Sequence, residues 1–160
     1  MKVQKVHQKI RDARTDFNHK VSTAIAKHYG TVAIEDLNVS GMVKNHHLSK
    51  SITDQGWSQF KTMLGYKLGW RKADLITIGR FDPSSKMCSE CGNTKHDLKL
   101  SNRIYHCGKC SLTMDRDLNA AINIRNIGMI KVGKGIPEFT PVESATAAEL
   151  LKGGLRVATQ

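Results

Sequence analysis

Two Cys-x-x-Cys pairs constrain this sequence more than any other feature. They are Cys88 with Cys91 and Cys107 with Cys110, and fifteen residues separate the pairs. A tetrahedral zinc ion needs four soft ligands about 2.3 Å away, and each pair supplies two thiolates from one tight turn. Two such turns at this separation are typical of a zinc ribbon. The sequence therefore predicts a zinc ribbon over residues 81–114, with the four cysteines as its ligands.

A glycine follows one cysteine of each pair. Gly92 and Gly108 lie one residue beyond a cysteine, where turning the backbone amides toward sulfur often requires a positive φ. The alternative interpretation is two disulfides, or four unrelated buried thiols. Disulfides belong mainly to oxidising compartments, and the opening Met1-Lys2 begins no signal peptide. Zinc is therefore the preferred interpretation.

The chain is strongly basic. Its 160 residues include 25 Lys and Arg against 14 Asp and Glu, which gives a formal charge of +11. A basic protein predicts a polyanionic partner, most simply nucleic acid; a surface that is merely soluble is the alternative. No apolar run approaches the roughly 20 residues of a membrane-spanning helix, so no membrane partner is expected.

The first part of the chain predicts a long helix followed by a strand. Apolar residues recur at three- and four-residue steps from Val3 to His28, which indicates an amphipathic helix of about seven turns that ends at Gly30. Residues 31–37 predict a short buried strand that ends in two acids, Glu35 and Asp36. Because side chains alternate along a strand, these two acids should face opposite sides.

A loop, a second helix and a second strand are predicted next. Residues 38–51 are polar and predict a loop, in which His46 and His47 face water or phosphate rather than a metal. Asp54 is a candidate N-cap for a helix whose apolar stripe is Trp57, Phe60, Leu64 and Leu68. Residues 74–78 predict a strand. The two predicted strands are joined by a long crossover that contains a helix. This arrangement predicts a parallel βαβ unit.

A helix and a tail are predicted after the ribbon. Residues 115–126 predict a helix with Asp115 as its N-cap, and the apolar residues expected to pack on a sheet are Leu118, Ala121, Ile122 and Ile127. From Gly128 onward the composition indicates a loose tail, with one short helix at residues 146–152.

Two acids are candidates for a metal site. Glu35 ends a predicted strand and Asp117 begins a predicted helix. The two acids flank the same βαβ unit, so both can lie at the carboxyl edge of one sheet. Carboxylates that converge there bind hard cations such as Mg²⁺, and paired metal ions activate water and stabilise the leaving oxygen of a phosphodiester. A solvated or hydrogen-bonded acid at a strand end is the alternative.

Motifs along most of the chain resemble one protein family, in order. Over roughly residues 3–127 the sequence resembles the C-terminal half of the TnpB (OrfB) proteins of insertion sequences. The matching segments, besides the two cysteine pairs, are Ile34–Val39, Gly56-Trp57, Phe60, Tyr66-Lys67, Pro83–Lys86 and Asp115–Ile124.

The resemblance implies a fold, an activity and partners. TnpB proteins resemble type V CRISPR effectors and are RNA-guided DNA endonucleases, in which a zinc ribbon interrupts an RNase H-like RuvC domain. Glu35 corresponds to the family's second catalytic carboxylate and Asp117 to the third, with Asp115 the second choice. The implied cofactors are zinc and, in an active centre, magnesium. The implied partners are DNA and guide RNA. The implied location of the protein is the cytoplasm of a prokaryote, in association with the nucleoid.

The sequence departs from the family pattern at the first catalytic residue. A RuvC centre takes its first aspartate from the opening strand, in a Gly-Ile-Asp-x-Gly context that this sequence lacks. Asp12 and Asp16 lie in the predicted first helix and cannot replace it. The expected fold is therefore α/β, a partial RNase H-like (RuvC) fold lacking its first strands, with an inserted zinc ribbon. Residues 1–80 and 115–128 form the nuclease region, residues 81–114 the ribbon, and residues 129–160 a flexible tail.

Three functional hypotheses follow. The first is a transposon-associated fragment of an RNA-guided, metal-dependent DNA endonuclease, unable to cut alone and completed by an N-terminal TnpB half or a full-length relative. The second is a non-catalytic zinc-ribbon module or regulator that binds nucleic acid. The third is a fragment with no independent role.

Overall fold

The computed structural model describes residues 2–47, 49–99 and 101–136. These residues form two compact units, one of residues 2–31 and 38–75, the other of residues 32–37 and 76–136. The fold is α/β, as predicted, and none of the described helices is long and apolar enough to cross a bilayer. In chain order the elements are α1 Lys2–His28, β1 Thr31–Glu35, α2 Val39–Val43, α3 Ser49–Gln55, α4 Trp57–Trp70, β2 Asp74–Ile78, β3 Ile104–His106, β4 Thr113–Asp115 and α5 Arg116–Lys131.

Helices α1 and α4 pack against each other in the first unit. The predicted stripe of α4 is confirmed at Leu64 and Leu68, which are 1% and 0% exposed, while Trp57 and Phe60 are only half-buried. A lysine is buried in the same contact, because the Nζ of Lys67 donates to three oxygens of α1 at 2.7–2.8 Å. Burial lowers the pKa of Lys67, and these three acceptors replace its water.

The long first helix is confirmed, but its apolar stripe is not the side that packs. Val3, Val6, Ile10 and Phe17 remain between 50% and 68% exposed. The residues that α1 buries are instead the small or polar Asn18, Ser22 and Ala26. Small side chains let two helices approach closely, so this side rather than the larger apolar side meets α4.

Residues 38–55 contain two short helices where the sequence predicted a loop and a helix cap. The side chain of Asn38 caps α2, and Ile52, 7% exposed, anchors α3. A cap or a single buried apolar residue is enough to stabilise such a short helix. Because neither feature creates a periodic apolar pattern, the sequence did not predict these helices. The predicted role of Asp54 is wrong: it lies within α3 and pairs with Arg14 at 2.9 Å. The N-cap of α4 is Gly56, in the left-handed conformation with φ of 64°.

Strands β1 and β2 pair with each other. The N–H of Asp74, the first residue of β2, donates to the carbonyl of Gly30, directly before β1, at 3.0 Å. Beyond the other ends, Arg80 pairs with Asp36 at 3.2 Å. Because the starts of both strands lie together and so do their ends, the strands run parallel, as predicted. β1 ends at Glu35, two residues before the predicted end, and β2 has the predicted bounds.

The ribbon of the second unit has its own small sheet and core. β3 and β4 are antiparallel, with Tyr105 opposite Met114. Tyr105 is fully buried and packs with Cys88 and Cys107, against which Leu98, Leu112 and Cys91 also lie. Its hydroxyl donates to the carbonyl of Lys86 at 3.1 Å. One tyrosine therefore fills the space between the two cysteine pairs.

Helix α5 follows β4 directly. Its predicted N-cap is confirmed, since the carboxylate of Asp115 accepts hydrogen bonds from the N–H groups of Asp117 and Leu118 at 2.9 and 3.0 Å. The helix continues to Lys131, so the tail begins later than predicted. Leu118 and Ala121 are not its packing residues; α5 buries Asn119, Ile122, Asn123 and Gly128. The helix predicted at residues 146–152 lies outside the described residues.

Close backbone packing joins α5 to β1 within the second unit. A Cβ added to Gly128 would lie 2.6 Å from the Cβ of Ala33, a distance that real Cβ atoms do not reach. Only glycine therefore fits at this position without moving the helix or the strand. The contact fixes α5 on the strand that ends in Glu35.

Candidate functional site

The four cysteine sulfurs form one cluster. They all lie within 4.8 Å of one another, and the Sγ atoms are 3.6 Å apart both for Cys88 with Cys110 and for Cys91 with Cys107. A tetrahedron of sulfurs about 2.3 Å from zinc has edges of about 3.8 Å. A disulfide would need about 2.05 Å, and all four cysteines are free. The donor set and its spacing fit a structural zinc ion, as the sequence predicted, and the disulfide alternative is wrong.

The two cysteine pairs share one backbone turn. In each, the N–H of the residue after the second cysteine donates to the carbonyl of the first, at 3.0 Å for Gly92 and 3.1 Å for Ser111. Both of these residues have positive φ, 70° for Gly92 and 61° for Ser111. The expectation for Gly92 is confirmed, but Gly108 is not among the positive-φ residues. The position that needs this conformation directly follows the second cysteine, and in the second turn a serine occupies it.

The strained serine leads to a testable prediction. Ser111→Gly should stabilise the zinc-bound protein by about 0.5–1 kcal/mol, because glycine adopts positive φ without a Cβ penalty. Gly92→Ser, which places the same strain in the first turn, should lose a similar amount. Thermal unfolding of both variants with zinc bound measures the difference. A lower melting temperature for Ser111→Gly would contradict the assignment.

Backbone amides in the second turn favour the thiolate. The N–H groups of Cys110 and Lys109 point at the sulfur of Cys107 and lower its pKa to about 6. Burial raises the pKa of Cys88. Because zinc binds thiolates and not thiols, a low pKa at one ligand eases the first step of metal binding.

A second candidate site is an open cleft of about 370 Å³ in the same unit. Both acids that the sequence singled out, Glu35 at the end of β1 and Asp117 in the first turn of α5, line it. The structure therefore brings the two predicted residues together. The other residues that line the cleft are Ser85, Lys86, Leu98, Lys99, Arg116, Ala120, Ala121 and Ile124.

Each acid of the cleft already has a partner. The hydroxyl of Ser84 donates to the carboxylate of Glu35, and Arg116 pairs with Asp117 at 3.2 Å. The side chain of Asp117 is 70% exposed, so this ion pair contributes little to stability and a cation can displace it. Asp115 is occupied in capping α5, which leaves Asp117 as the acid of this segment that faces the cleft.

The neighbouring acids are separate from this site. Asp36 pairs with Arg80 at 3.2 Å and does not line the cleft, in agreement with the expected alternation along β1. Asp12 and Asp16 lie on α1, as expected. Across residues 2–47, 49–99 and 101–136, the cysteines are the only group of three or more ligand side chains close enough to share a metal ion. His46 and His47 therefore belong to no such group.

Positive charge borders the cleft. Lys86, Lys99 and Arg116 line it beside the two acids. Such a mixture suits a phosphodiester, because the lysines and arginine attract the phosphate while the carboxylates hold a metal ion against it.

Three buried polar residues of the site received no role from the sequence. Asn119 and Asn123 are 0% and 1% exposed and Ser84 is 5% exposed, and all three form hydrogen bonds in this unit. The available signal was the Asn-x-x-x-Asn spacing, which places both asparagines on one helix face. Composition alone predicts exposed asparagines, so their burial could not be foreseen.

Two family models match the chain. Residues 1–46 match a family described as a probable transposase. Residues 57–124 match one described as a Cas12f1-like TNB domain. The second match contains all four cysteines and Asp117, and the first contains Glu35.

Curated relatives match most of the chain. A putative RNA-guided DNA endonuclease of Streptomyces pristinaespiralis is 43% identical over 128 residues, which cover 80% of this chain and 32% of the relative. The putative RNA-guided DNA endonuclease InsQ of Escherichia coli (strain K12) is 34% identical over 142 residues, which cover 79% of this chain and 35% of the relative. The chain thus spans about a third of the length of these relatives.

A solved structure shares the fold. A chain from the cryo-EM structure of the Cas12f1–sgRNA–target DNA complex superposes with a TM-score of 0.65 at 20% sequence identity. The superposition covers 79% of this chain and 37% of the other.

Proposed function

Because the chain belongs to the TnpB (OrfB) family of insertion-sequence proteins, we propose that its cleft is part of a metal-dependent DNA endonuclease centre. In this proposal β1, β2 and α5 form part of a RuvC-like domain, and the zinc ribbon is an insertion between β2 and α5. The observation that carries the proposal is that Glu35 and Asp117, far apart in sequence, line one cleft.

The two carboxylates are the proposed ligands of Mg²⁺. Oxygen donors on separate elements suit a hard cation that keeps several of its waters. Magnesium would polarise the phosphate and activate a water for attack on phosphorus. In the absence of the cation, Ser84 and Arg116 hold the two acids in place, so binding exchanges one weak exposed ion pair for a metal–ligand bond.

The proposed substrate is DNA selected by a guide RNA. The relatives carry the name RNA-guided DNA endonuclease, and the structural neighbour was solved with a guide RNA and target DNA. The formal charge of +11 and the basic side chains beside the cleft suit both DNA and RNA. Binding of either nucleic acid should weaken steeply as the salt concentration increases.

We further propose that this chain does not complete the centre by itself. Among the described residues that line the cleft, Glu35 and Asp117 are the only acids, whereas the family centre uses three carboxylates. A missing metal ligand should raise the activation free energy of phosphodiester cleavage by several kcal/mol. An N-terminal TnpB half or a full-length relative is the proposed source of the third carboxylate.

Metal binding at the cleft is the direct test. Glu35→Gln and Asp117→Asn should each weaken Mn²⁺ binding by about ten-fold or more, since each removes one anionic ligand. The matched control is Asp12→Asn, an exposed acid of α1, which should bind Mn²⁺ as the unmodified chain does. Titration followed by the loss of the free Mn²⁺ electron paramagnetic resonance signal measures the affinity. Unchanged affinity in both cleft variants would contradict the proposed site.

Cleavage assays test the completeness of the centre. The chain with Mg²⁺ and duplex or single-stranded DNA should give no product above background. Addition of a separately expressed N-terminal TnpB half, together with a guide RNA complementary to the DNA, should restore cutting, and restoration should fail with Glu35→Gln. Cutting by the chain alone that disappears in Glu35→Gln and Asp117→Asn would show instead that two carboxylates suffice.

The non-catalytic alternative is favoured by one specific observation. Both acids of the cleft are already engaged, Glu35 by a hydroxyl and Asp117 by an arginine, which is an arrangement that needs no metal. A zinc-ribbon module that only binds nucleic acid predicts salt-dependent DNA or RNA binding that survives Glu35→Gln and is lost in Cys107→Ser.

A further inference from the structure

Two asparagines on one face of α5 are more deeply buried than the isoleucine between them. Asn119 and Asn123 are 0% and 1% exposed, whereas Ile122 is 7% exposed. A buried carboxamide is costly unless its polar atoms are hydrogen-bonded. Both carboxamides bond to the backbone of residues 84–89, the segment that leads into the first cysteine pair.

Asn119 holds both neighbours of a zinc ligand. Its Nδ2 donates to the carbonyl of Met87 at 2.7 Å, and its Oδ1 accepts the N–H of Ser89 at 3.0 Å. The residue between Met87 and Ser89 is Cys88. Asn119 is also two residues beyond Asp117 on α5. One carboxamide therefore fixes the first zinc ligand relative to the helix end that carries a cleft acid.

Asn123 connects the same segment to the other acid. Its Nδ2 donates to the carbonyl of Ser84 at 2.7 Å and to that of Met87 at 2.6 Å. The hydroxyl of Ser84 then donates to the carboxylate of Glu35. Hydrogen bonds thus join the backbone around Cys88 to the carboxylate of Glu35 through Ser84. They also join it to Asn119, which lies two residues beyond Asp117 on the backbone of α5.

We propose that Ser84, Asn119 and Asn123 are positioning residues that couple the zinc ribbon to the carboxylate cleft. Zinc fixes the backbone around Cys88, and residues 84–89 then hold Glu35 and the start of α5 at the spacing that binds a divalent cation. This inference rests on the proposed function of the cleft. Groups one step removed from a metal are known to orient its ligands, and here the same groups serve two sites.

The coupling is reciprocal. If zinc raises the affinity of the cleft for a divalent cation, cation binding in the cleft must raise the affinity of the cysteines for zinc by the same factor. The ribbon then reports on the occupancy of the cleft as well as supporting it.

The test uses the zinc-loaded full chain with Mn²⁺ as the probe of the cleft. S84A, N119A and N123A should each weaken Mn²⁺ binding by about ten-fold, within the range found for residues behind metal ligands. Cobalt-substituted samples of the same variants should keep the charge-transfer absorption of four thiolates, which shows that the cysteine cluster is intact. S84A removes a single hydroxyl and no bond to α5, so it stays informative if N119A or N123A fails to fold.

Matched controls separate positioning from general damage. Asn126 lies on the same helix and accepts from its neighbour Arg125 at 3.3 Å, so N126A should leave Mn²⁺ affinity unchanged. Ser58 is an exposed serine of α4, and S58A should behave likewise.

Each outcome decides the matter. Unchanged Mn²⁺ affinity in S84A, N119A and N123A, in a protein whose affinity depends on Glu35, overturns the coupling and leaves the proposed function standing. If the unmodified chain binds no Mn²⁺ at the cleft, the proposed function fails, and hydrogen exchange decides the coupling. Zinc-dependent protection of residues 115–120 that is lost in N119A supports the coupling, and equal protection in N119A overturns it.

Discussion

Cys107→Ser should unfold the ribbon. Zinc sites of this kind have apparent binding free energies of about 10–16 kcal/mol, comparable with or larger than the whole stability of a typical domain, about 5–15 kcal/mol. The ribbon has little else to hold it, because its core consists of Tyr105, the cysteines and two leucines. A serine at this buried position leaves a three-ligand site and an unpaired hydroxyl.

The measurement is near-ultraviolet circular dichroism together with zinc stoichiometry. The signal of the buried Tyr105 should be lost in Cys107→Ser, and the same loss should follow addition of a chelator to the unmodified chain. Ser101→Ala, an exposed change in the same ribbon, is the control and should retain one zinc per chain. A Cys107→Ser protein with an unchanged spectrum and unchanged zinc affinity would show that the cluster does not stabilise the ribbon.

Gly128→Val should destabilise the second unit by about 1–3 kcal/mol, the usual cost of overpacking. Even the first carbon of the new side chain would lie 2.6 Å from the Cβ of Ala33, and the two branches of valine enlarge the clash. Helix propensity changes by only a few tenths of a kcal/mol between glycine and valine, so it cannot offset the cost. Since Ala33 lies on β1, relief of the clash must also displace the strand that carries Glu35.

Urea unfolding of Gly128→Val and of its control tests this contact. Gly69→Ala is the control, because a Cβ at Gly69 on α4 has no neighbour within 4 Å; it should be neutral or add up to about 1 kcal/mol. In Gly128→Val the midpoint should fall and Mn²⁺ binding should weaken with it. A midpoint equal to that of the unmodified chain would mean that α5 does not rest on β1 in solution.

Local chemistry explains which features the sequence could predict. The zinc ligands are fixed by their spacing within two short turns. The N-cap Asp115 bonds to the N–H groups two and three residues further along the chain, so neither feature depends on distant contacts. Predicting that the two cleft acids lie close together required more than local chemistry. It required the parallel βαβ unit and the family resemblance together. Their roles in metal binding remain predictions until the Mn²⁺ titrations are made.

The features that sequence reasoning missed depend on tertiary contacts. The packing side of α1 follows from the close approach of α4, which favours Ser22 and Ala26 over larger apolar residues. The roles of Asn119 and Asn123 require a second segment, residues 84–89, to satisfy their buried amides. Ser111 takes the left-handed conformation because the turn demands it, against the ordinary preference of serine. Apart from the Asn-x-x-x-Asn spacing, none of these constraints leaves a periodic signal in the sequence.

Solvent exposure divides α1 into two parts that are stabilised in different ways. Residues 2–13 are all exposed, and the first buried residue of the helix is Asn18. An isolated helical segment of about twelve residues is marginal in water, so the first three turns depend on hydrogen bonds within the helix and on cooperative extension from the packed part. In dilute solution this end should therefore melt and reform independently of α4, and anything that covers Val3, Val6 and Ile10 would lengthen the permanently folded part of the molecule by about 18 Å.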